Sequence, residues 1–385
     1  MSQSLTYESR TTAPPPAWTS LLRALWPIAV GIVIALFMNY VVQPMAGGYG
    51  TLIVFAGINI ILGVSLTIVN GFTGQFSIGH AGFMALGAYA AAGVTYYGSY
   101  LLYGNADFHG GRLSITGGPA PFVGSGDLLF VIACIAGGLI AAAAGWIVGL
   151  PSLRLRGDYL AIVTLGFGEI VRVILQGTDT QLFSKGEFDE TPKLQLFNKL
   201  GGALGFVFLP TYTTAFWVFL WVAIMLIVAI RLKYSSYGRA LLSIREDEIA
   251  AQAVGINVTK YKVRAFVLSS FFAGVAGALY AMQIGAVNAG DLGFQKSFEI
   301  LIMVVLGGLG SISGTLLAAV ILTILPEALR SLGPYLPTRM GDIDRYRMII
   351  YALVLIVMMI VRPKGLLGVG EIWDWFTGRR RRTHE

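Results

Sequence analysis

Charge is scarce in this sequence: only 12% of its 385 residues are Asp, Glu, Lys or Arg, about half the ~25% of an ordinary soluble domain. A chain this poor in polar groups cannot coat a water-facing globule of its size. That excludes a soluble enzyme, a nucleic-acid-binding domain and a disordered chain. Cysteine is nearly absent as well. Cys134 stands alone in an apolar run, so neither an intrachain disulfide nor a cysteine-based metal cluster can form. The three histidines, His80, His109 and His384, are far apart and lack a ligand spacing such as HxxxH, so no metal site is expected. No Ser/His/Asp or Cys/His set presents itself either, and the chain is not expected to be an enzyme. No GxxxxGK[ST] loop occurs, so ATP cannot be bound by that route and any cofactor such as Mg-ATP must sit in a partner.

What is abundant is apolar: 56% of residues are hydrophobic, with a mean hydropathy of +0.72. Runs of spanning length or near it lie at about Ala24–Val42, Gly50–Val69, Ile78–Tyr97, Leu128–Leu150, Tyr159–Leu175, Phe206–Ile230, Phe266–Ile284 and Met348–Val361. About 20 residues cross ~30 Å of hydrocarbon. Two shorter runs, Phe298–Leu306 and Ile312–Leu325, flank Gly307-Gly-Leu-Gly-Ser311 and read as half-spans, a re-entrant hairpin or two compact crossings. The predicted fold is an all-α polytopic membrane protein of about 8–10 transmembrane helices, some short or broken. A polar tail, 1–23, carries Pro14–Pro16, a transmembrane domain covers 24–362, and a basic tail covers 363–385. The first run is longer than the apolar core of a cleaved signal.

Arg23, Arg154, Arg156, Arg231, Lys233, Arg239, Arg245, Arg362, Lys364 and Arg379–Arg382 fall on one side if the Phe298–Leu325 pair crosses an even number of times. The opposite loops, Gly98–Asp127, Gln176–Gly205 and Ala286–Gln295, are poor in Arg. By the positive-inside rule both termini are cytoplasmic, and Trp373 and Trp375 read as an interfacial belt. Glycine, 49 residues in all, is concentrated in the apolar runs, as in Gly145-xxx-Gly149 and Gly310-xxx-Gly314. Such pairs let helices approach closely, and internal packing is the reading we favour for each.

Three stretches carry polar chemistry. Asn70–Gly82 places Asn70, Gln75, Ser77 and His80 among glycines between two runs, which reads either as a half-helix substrate site or as an aqueous loop capped by Ser77. Glu169 lies in the apolar stretch Leu160–Leu175 with Arg172 three residues on. It reads as a local pair or as a group handling substrate or protons. Tyr237–Asn257 has helix-like composition, alternating charges and Gly255 as a stop. It is too polar to cross, and is either a surface helix or a docking element.

Four stretches, Asn70–Ala92, Gly157–Ile170, Tyr237–Asn257 and Gly307–Gly314, together resemble the LivM family, the permease subunits of branched-chain amino-acid ABC importers, in order over about Gly50–Gly368. The resemblance implies a bacterial-type inner-membrane bundle working with a LivH-like second permease, two cytoplasmic ATPases that hold Mg-ATP and an external solute-binding protein. It also implies a cytoplasmic coupling helix within 237–257. Ile249-Ala250-Ala251 followed by Gly255 matches the EAA-xxx-G spacing of importer permeases, with Ile in place of Glu. Gly238, Arg239, Arg245, Glu246, Asp247, Glu248, Ala250, Ala251 and Gly255 are the coupling candidates, and any of the three acids could supply the missing charge. Substrate-path candidates are Asn70, Gln75, Ser77, His80, Thr164 and Glu169. Where many relatives have a TGG-type turn, this chain reads Gln176-Gly-Thr-Asp179. A urea or short-amide importer is the near alternative. A stand-alone ion-coupled transporter is the distant one, since Glu169 is its single good coupling carboxylate.

Overall fold

Backbone amides in lipid have no water to bond, so spans must satisfy them internally. Helices accordingly dominate the computed structural model, which describes residues 17–114, 121–152, 158–332, 352–353, 356–357, 360–362, 365–368 and 370–372. The 1–16 tail, Arg154, Arg156, Lys364, most of the Met348–Val361 run and the segment 373–385, with Trp373, Trp375 and Arg379–Arg382, lie outside the described residues.

Helix α1 (Ala17–Phe37) passes through a π-turn, Met38–Val42, into α2 (Gln43–Met45). Helix α3 (Gly50–Thr67) ends in a second π-turn, Ile68–Phe72, and α4 (His80–Tyr103), α5 (Ser125–Ser152) and α6 (Asp158–Gln176) follow. The next connection carries α7 (Lys185–Glu190). Then come α8 (Ala215–Tyr234), the two short helices α9 (Ser236–Glu246) and α10 (Glu248–Ala253), α11 (Val258–Ile284), α12 (Phe294–Gly307) and α13 (Ile312–Leu332). Among the described residues, seven stretches are long and apolar enough to cross a membrane: Trp26–Met45, Gly47–Phe72, Ser125–Leu150, Tyr159–Gln176, Ala215–Tyr234, Val258–Ile284 and Ile312–Arg330. At 1.5 Å per residue, α4 with its 24 residues is also long enough.

The Phe298–Leu325 ambiguity resolves into one short and one full helix. α12 has 14 residues, about 21 Å, and α13 has 21. They turn back on each other so tightly that a Cβ on Gly307 would stand 2.4 Å from Thr315 N, and one on Gly314 2.0 Å from Gly307 O. The pair therefore runs down and back, an even count.

Glycine also sets the middle of the bundle. A Cβ on Gly87 would fall 2.2 Å from Gly274 Cα, one on Gly137 2.6 Å from Gly87 O, and one on Gly277 2.0 Å from Met84 O. Helices α4, α5 and α11 thus touch backbone to backbone, and dispersion between close-packed helices replaces the hydrophobic driving force that lipid cannot supply. Gly145 packs on Ser270, also within the chain.

Contacts sort the turns into two ends. At one, the loop end, Tyr97 OH bonds Lys199 O, Tyr40 OH bonds Arg112 O, and Phe206 pairs with Val287. Asp127, fully buried, accepts from Gly111 N, Gly124 N and Ser114 Oγ and knots the 104–124 loop. The other, the basic end, gathers Lys233, Arg245, Gly71, Gly310 and Glu371. Of the expected basic group, these contacts place Lys233 and Arg245 at the end away from the loops.

Candidate functional site

Between α3 and α4 the helix is broken over residues 73–79, and Thr73, Gln75, Ser77 and Gly79 of the break are buried while Gly74 and Phe76 reach the surface. The expected Ser77 cap is not found: Ser77 is buried and Gly79, without a side-chain cap, precedes α4. Orphaned backbone groups inside a bundle need partners, and polar side chains supply them. Asn70 Oδ1 accepts from Ser77 N at 3.2 Å while its Nδ2 donates to Ser77 O at 3.3 Å. Thr164 Oγ1, from α6, accepts from Ile78 N at 3.1 Å. Ser297 Oγ, from α12, accepts from Ala81 N. Gln75 Oε1 accepts from Thr73 Oγ1 at 3.1 Å. His80 Nε2 lies 2.8 Å from Ser65 Oγ, whose own proton goes to Leu62 O, so Nε2–H is the donor. Gly79 allows α6 to close over the break, because a Cβ there would sit 2.1 Å from Thr164 O. Asn70, Gln75, Ser77, His80 and Thr164 thus converge on one discontinuity.

Glu169 does not join them. Its Oε2 accepts from Arg172 Nε at 2.6 Å and its Oε1 from Phe294 N at 3.1 Å, so it binds the N-terminus of α12. Arg172 continues to Gln176 Oε1. Both charged side chains are about one-third exposed. The carboxylate is partnered twice and serves as an anchor for the short helix, in keeping with the favourable field at a helix N-terminus.

The polar segment 237–257 is two helices rather than one. Ser235 caps α9 through Gly238 N, and a Cβ on Gly238 would strike Leu232 O at 2.0 Å. Arg239 stays at the surface, donating to Ser236 Oγ. Asp247 adopts extended backbone, ends α9 and caps α10 by accepting from Ile249 N and Ala250 N; Asp is a strong N-cap. Gly255, at φ +87, closes α10 with Ile256 N bonded to Ala251 O and Gly255 N to Gln252 O, the pattern of a Schellman end. Ala251 is buried against Ile244 and Val258 of its own chain. The exposed residues of this turn are Ile249, Ala250, Gln252, Ala253 and Val254, with Ile249 69% exposed. Of the three acids, Asp247 is spent as the cap and Glu248 on buried Lys262 at 2.8 Å, while the Glu246 side chain is 74% exposed beside Arg245. Tyr237 anchors α9, stacked on Tyr261 at 4.5 Å and bonded to its carbonyl; burial pushes its phenol up to about 12, against the pull of the Arg264 charge.

Arg245 links the two sites. Its Nη1 donates to Gly71 O at 2.9 Å, and its aliphatic stem fills the space that a side chain on Gly74 (φ +69) would take. A second tie escaped the sequence reading altogether. Lys233 at the end of α8 donates to Gly310 O at 2.8 Å and to Glu371 Oε1. Glu371, fully buried, accepts from Ile312 N, Ser313 N and Ser313 Oγ at the N-terminus of α13. The one signal for it was Ser311-Ile-Ser313 opening a helix, a donor cluster that calls for an anion. Among the described residues no group of His, Cys, Asp and Glu is placed to hold a metal.

Comparison with known proteins agrees over most of the chain. Residues 48–359 match the family model described as the permease component of the branched-chain amino acid transport system. The chain is 36% identical over 329 residues to the LivM high-affinity branched-chain amino acid permease protein of Salmonella typhimurium, covering 80% of this chain and 68% of that one. It is 34% identical over 355 residues to the Escherichia coli LivM protein, covering 87% and 74%. The Escherichia coli LivH permease protein is 34% identical over 162 residues, covering 42% of this chain and 49% of its own. No solved structure is significantly similar. A multi-pass helical bundle with this run of motifs, matched by this model over most of its length, belongs to the branched-chain amino acid transport permease family.

Proposed function

We propose that this chain is the permease subunit of an ATP-driven importer of branched-chain, hydrophobic amino acids in a bacterial-type inner membrane. Its partners are a LivH-like second permease, two cytoplasmic ATPases carrying Mg-ATP, and an external solute-binding protein. The basic end faces the cytoplasm, both termini with it, as the bias of Lys and Arg toward that end supports. The observation that carries the reading is the 2.9 Å bond from Arg245, at the end of α9, to Gly71 at the broken helix. ATPase closure pushes on the exposed Ile249 and Ala250 of α10, with Glu246 supplying the charge at the rim. The push reaches the 73–79 break through Arg245. Rearrangement of the break frees Asn70, Gln75, Ser77, His80 and Thr164 from their mutual bonds to meet the ammonium and carboxylate of an amino acid, as broken helices do in other transporters. Glu169 holds α12 beside that path.

The test is reconstitution in liposomes. Leucine uptake should require the ATPases, the second permease, the binding protein and ATP, with urea transported poorly. Uptake by this chain alone, driven by an ion gradient, would contradict the reading. In intact spheroplasts a thiol placed at Glu187 should label and one at Glu246 should not.

A further inference from the structure

Helices α5 and α11 leave a groove of about 1100 Å³ on the outside of the bundle, with Tyr237 in its lining toward the basic end. Their register is antiparallel, since Gly145 meets Ser270 while Gly138 meets Val275. Leu150 therefore stands level with Ala265, and Lys260 and Arg264 lie at and beyond the end of α5. Along α11 the groove-facing residues run Lys260, Arg264, Val267, Phe271, one helical turn apart, from cationic to apolar. Along α5 they run Leu150, Trp146, Leu139, with Leu139 and Trp146 more than half exposed. Lys260 and Arg264 are exposed, and among the described residues neither has a carboxylate within ion-pair distance. The nearby acid on α10, Glu248, is held by Lys262.

We propose that this groove binds an acidic phospholipid of the leaflet at the basic end. Its walls belong to two membrane spans, so acyl chains meet them at hydrocarbon depth. Its mouth carries two exposed cations one turn apart at headgroup level, where an anionic phosphate is the complementary charge. A zwitterionic lipid would fill the same walls with the same phosphate, but its own headgroup cation would be repelled by Lys260 and Arg264. A helix of another protein would have to bring acids to the level of both cations, whereas the leaflet supplies anionic phosphate there already. Trp146, one turn inside the mouth, suits the interfacial depth at which indole rings settle. This inference does not depend on the transported solute.

Trp146 also reports on the site. The chain, purified with its partner subunits, would be placed in nanodiscs of phosphatidylcholine containing a small fraction of dibrominated phosphatidylglycerol or dibrominated phosphatidylcholine. The Trp146 signal is the difference between wild type and Trp146→Phe. Brominated phosphatidylglycerol should quench it at about tenfold lower mole fraction, a preference that high salt reduces. Lys260→Gln with Arg264→Gln should abolish the preference, while Lys260→Arg with Arg264→Lys should keep it. Equal quenching by the two lipids in wild type would overturn the proposal. Quenching by neither would show that a protein partner covers the groove, and would overturn it as well.

Discussion

Lys233 and Glu371 form a pair whose two members should not be equally missed. Glu371→Gln takes the countercharge from an ammonium that is only 12% exposed, leaving it the neutral carbonyls of Gly310 and the new amide. Removing one partner of a buried pair costs about 3–5 kcal/mol. Lys233→Met leaves the carboxylate facing two backbone N–H groups and the Ser313 hydroxyl at the positive end of α13. Those donors keep most of its solvation replaced, so the loss is closer to the 1.5–3 kcal/mol of charged hydrogen bonds. The double variant Lys233→Met, Glu371→Gln should regain stability over Glu371→Gln alone, because no unpaired ammonium remains. Thermal unfolding of the purified chain in detergent, followed by tryptophan fluorescence, would rank the variants. A Glu371→Gln protein as stable as Lys233→Met, or a double variant less stable than both by the sum of their losses, would refute the argument.

Glu169→Gln keeps an acceptor for Phe294 N and gives up a pair about one-third exposed, so its stability loss should stay within about 1 kcal/mol; a larger fall in the same melt would place the carboxylate in a drier site than described. Gly79→Ala should prevent the chain from folding, as judged by loss of a monodisperse chromatographic peak, since the new methyl meets the Thr164 backbone at 2.1 Å and neither element can withdraw. Ala251→Trp should destabilise the seat of α10 on α11 by about 1–3 kcal/mol through overpacking, whereas Ile249→Asp should leave the chain's melting temperature unchanged and weaken ATPase co-purification. The reverse pattern would mean that α10 presents its other face.

Residues near one another in sequence disclosed much of this molecule. Apolar runs marked the spans, the Lys and Arg bias separated the two ends, and Asn70–His80 announced a polar interruption because glycine and amide side chains are out of place within a span. What stayed hidden involves pairs distant in sequence. Arg245 is 174 residues from Gly71, and Glu371 is 58 from Ser313; no periodicity links such positions. The break at Asp247 was latent in its capping chemistry, but the surrounding Glu246 and Glu248 made the segment look like one charged helix. With that break unseen, the inward direction of Ala251 could not be read from a single helical wheel, although Ile244, Ala251 and Val258 do recur every seven residues.

The most direct test of the central claim, that coupling reaches the broken helix through Arg245, is the number of leucine molecules imported per ATP hydrolysed by the reconstituted complex carrying Arg245→Ala. A hydrogen bond from a charged donor contributes about 1.5–3 kcal/mol, or roughly 10–150-fold if all of it serves coupling. The account predicts normal assembly with the ATPases, continued hydrolysis and at least a tenfold drop in transport per ATP, partly restored by Arg245→Lys. An Arg245→Ala complex that assembles and imports leucine at the wild-type ratio would contradict it.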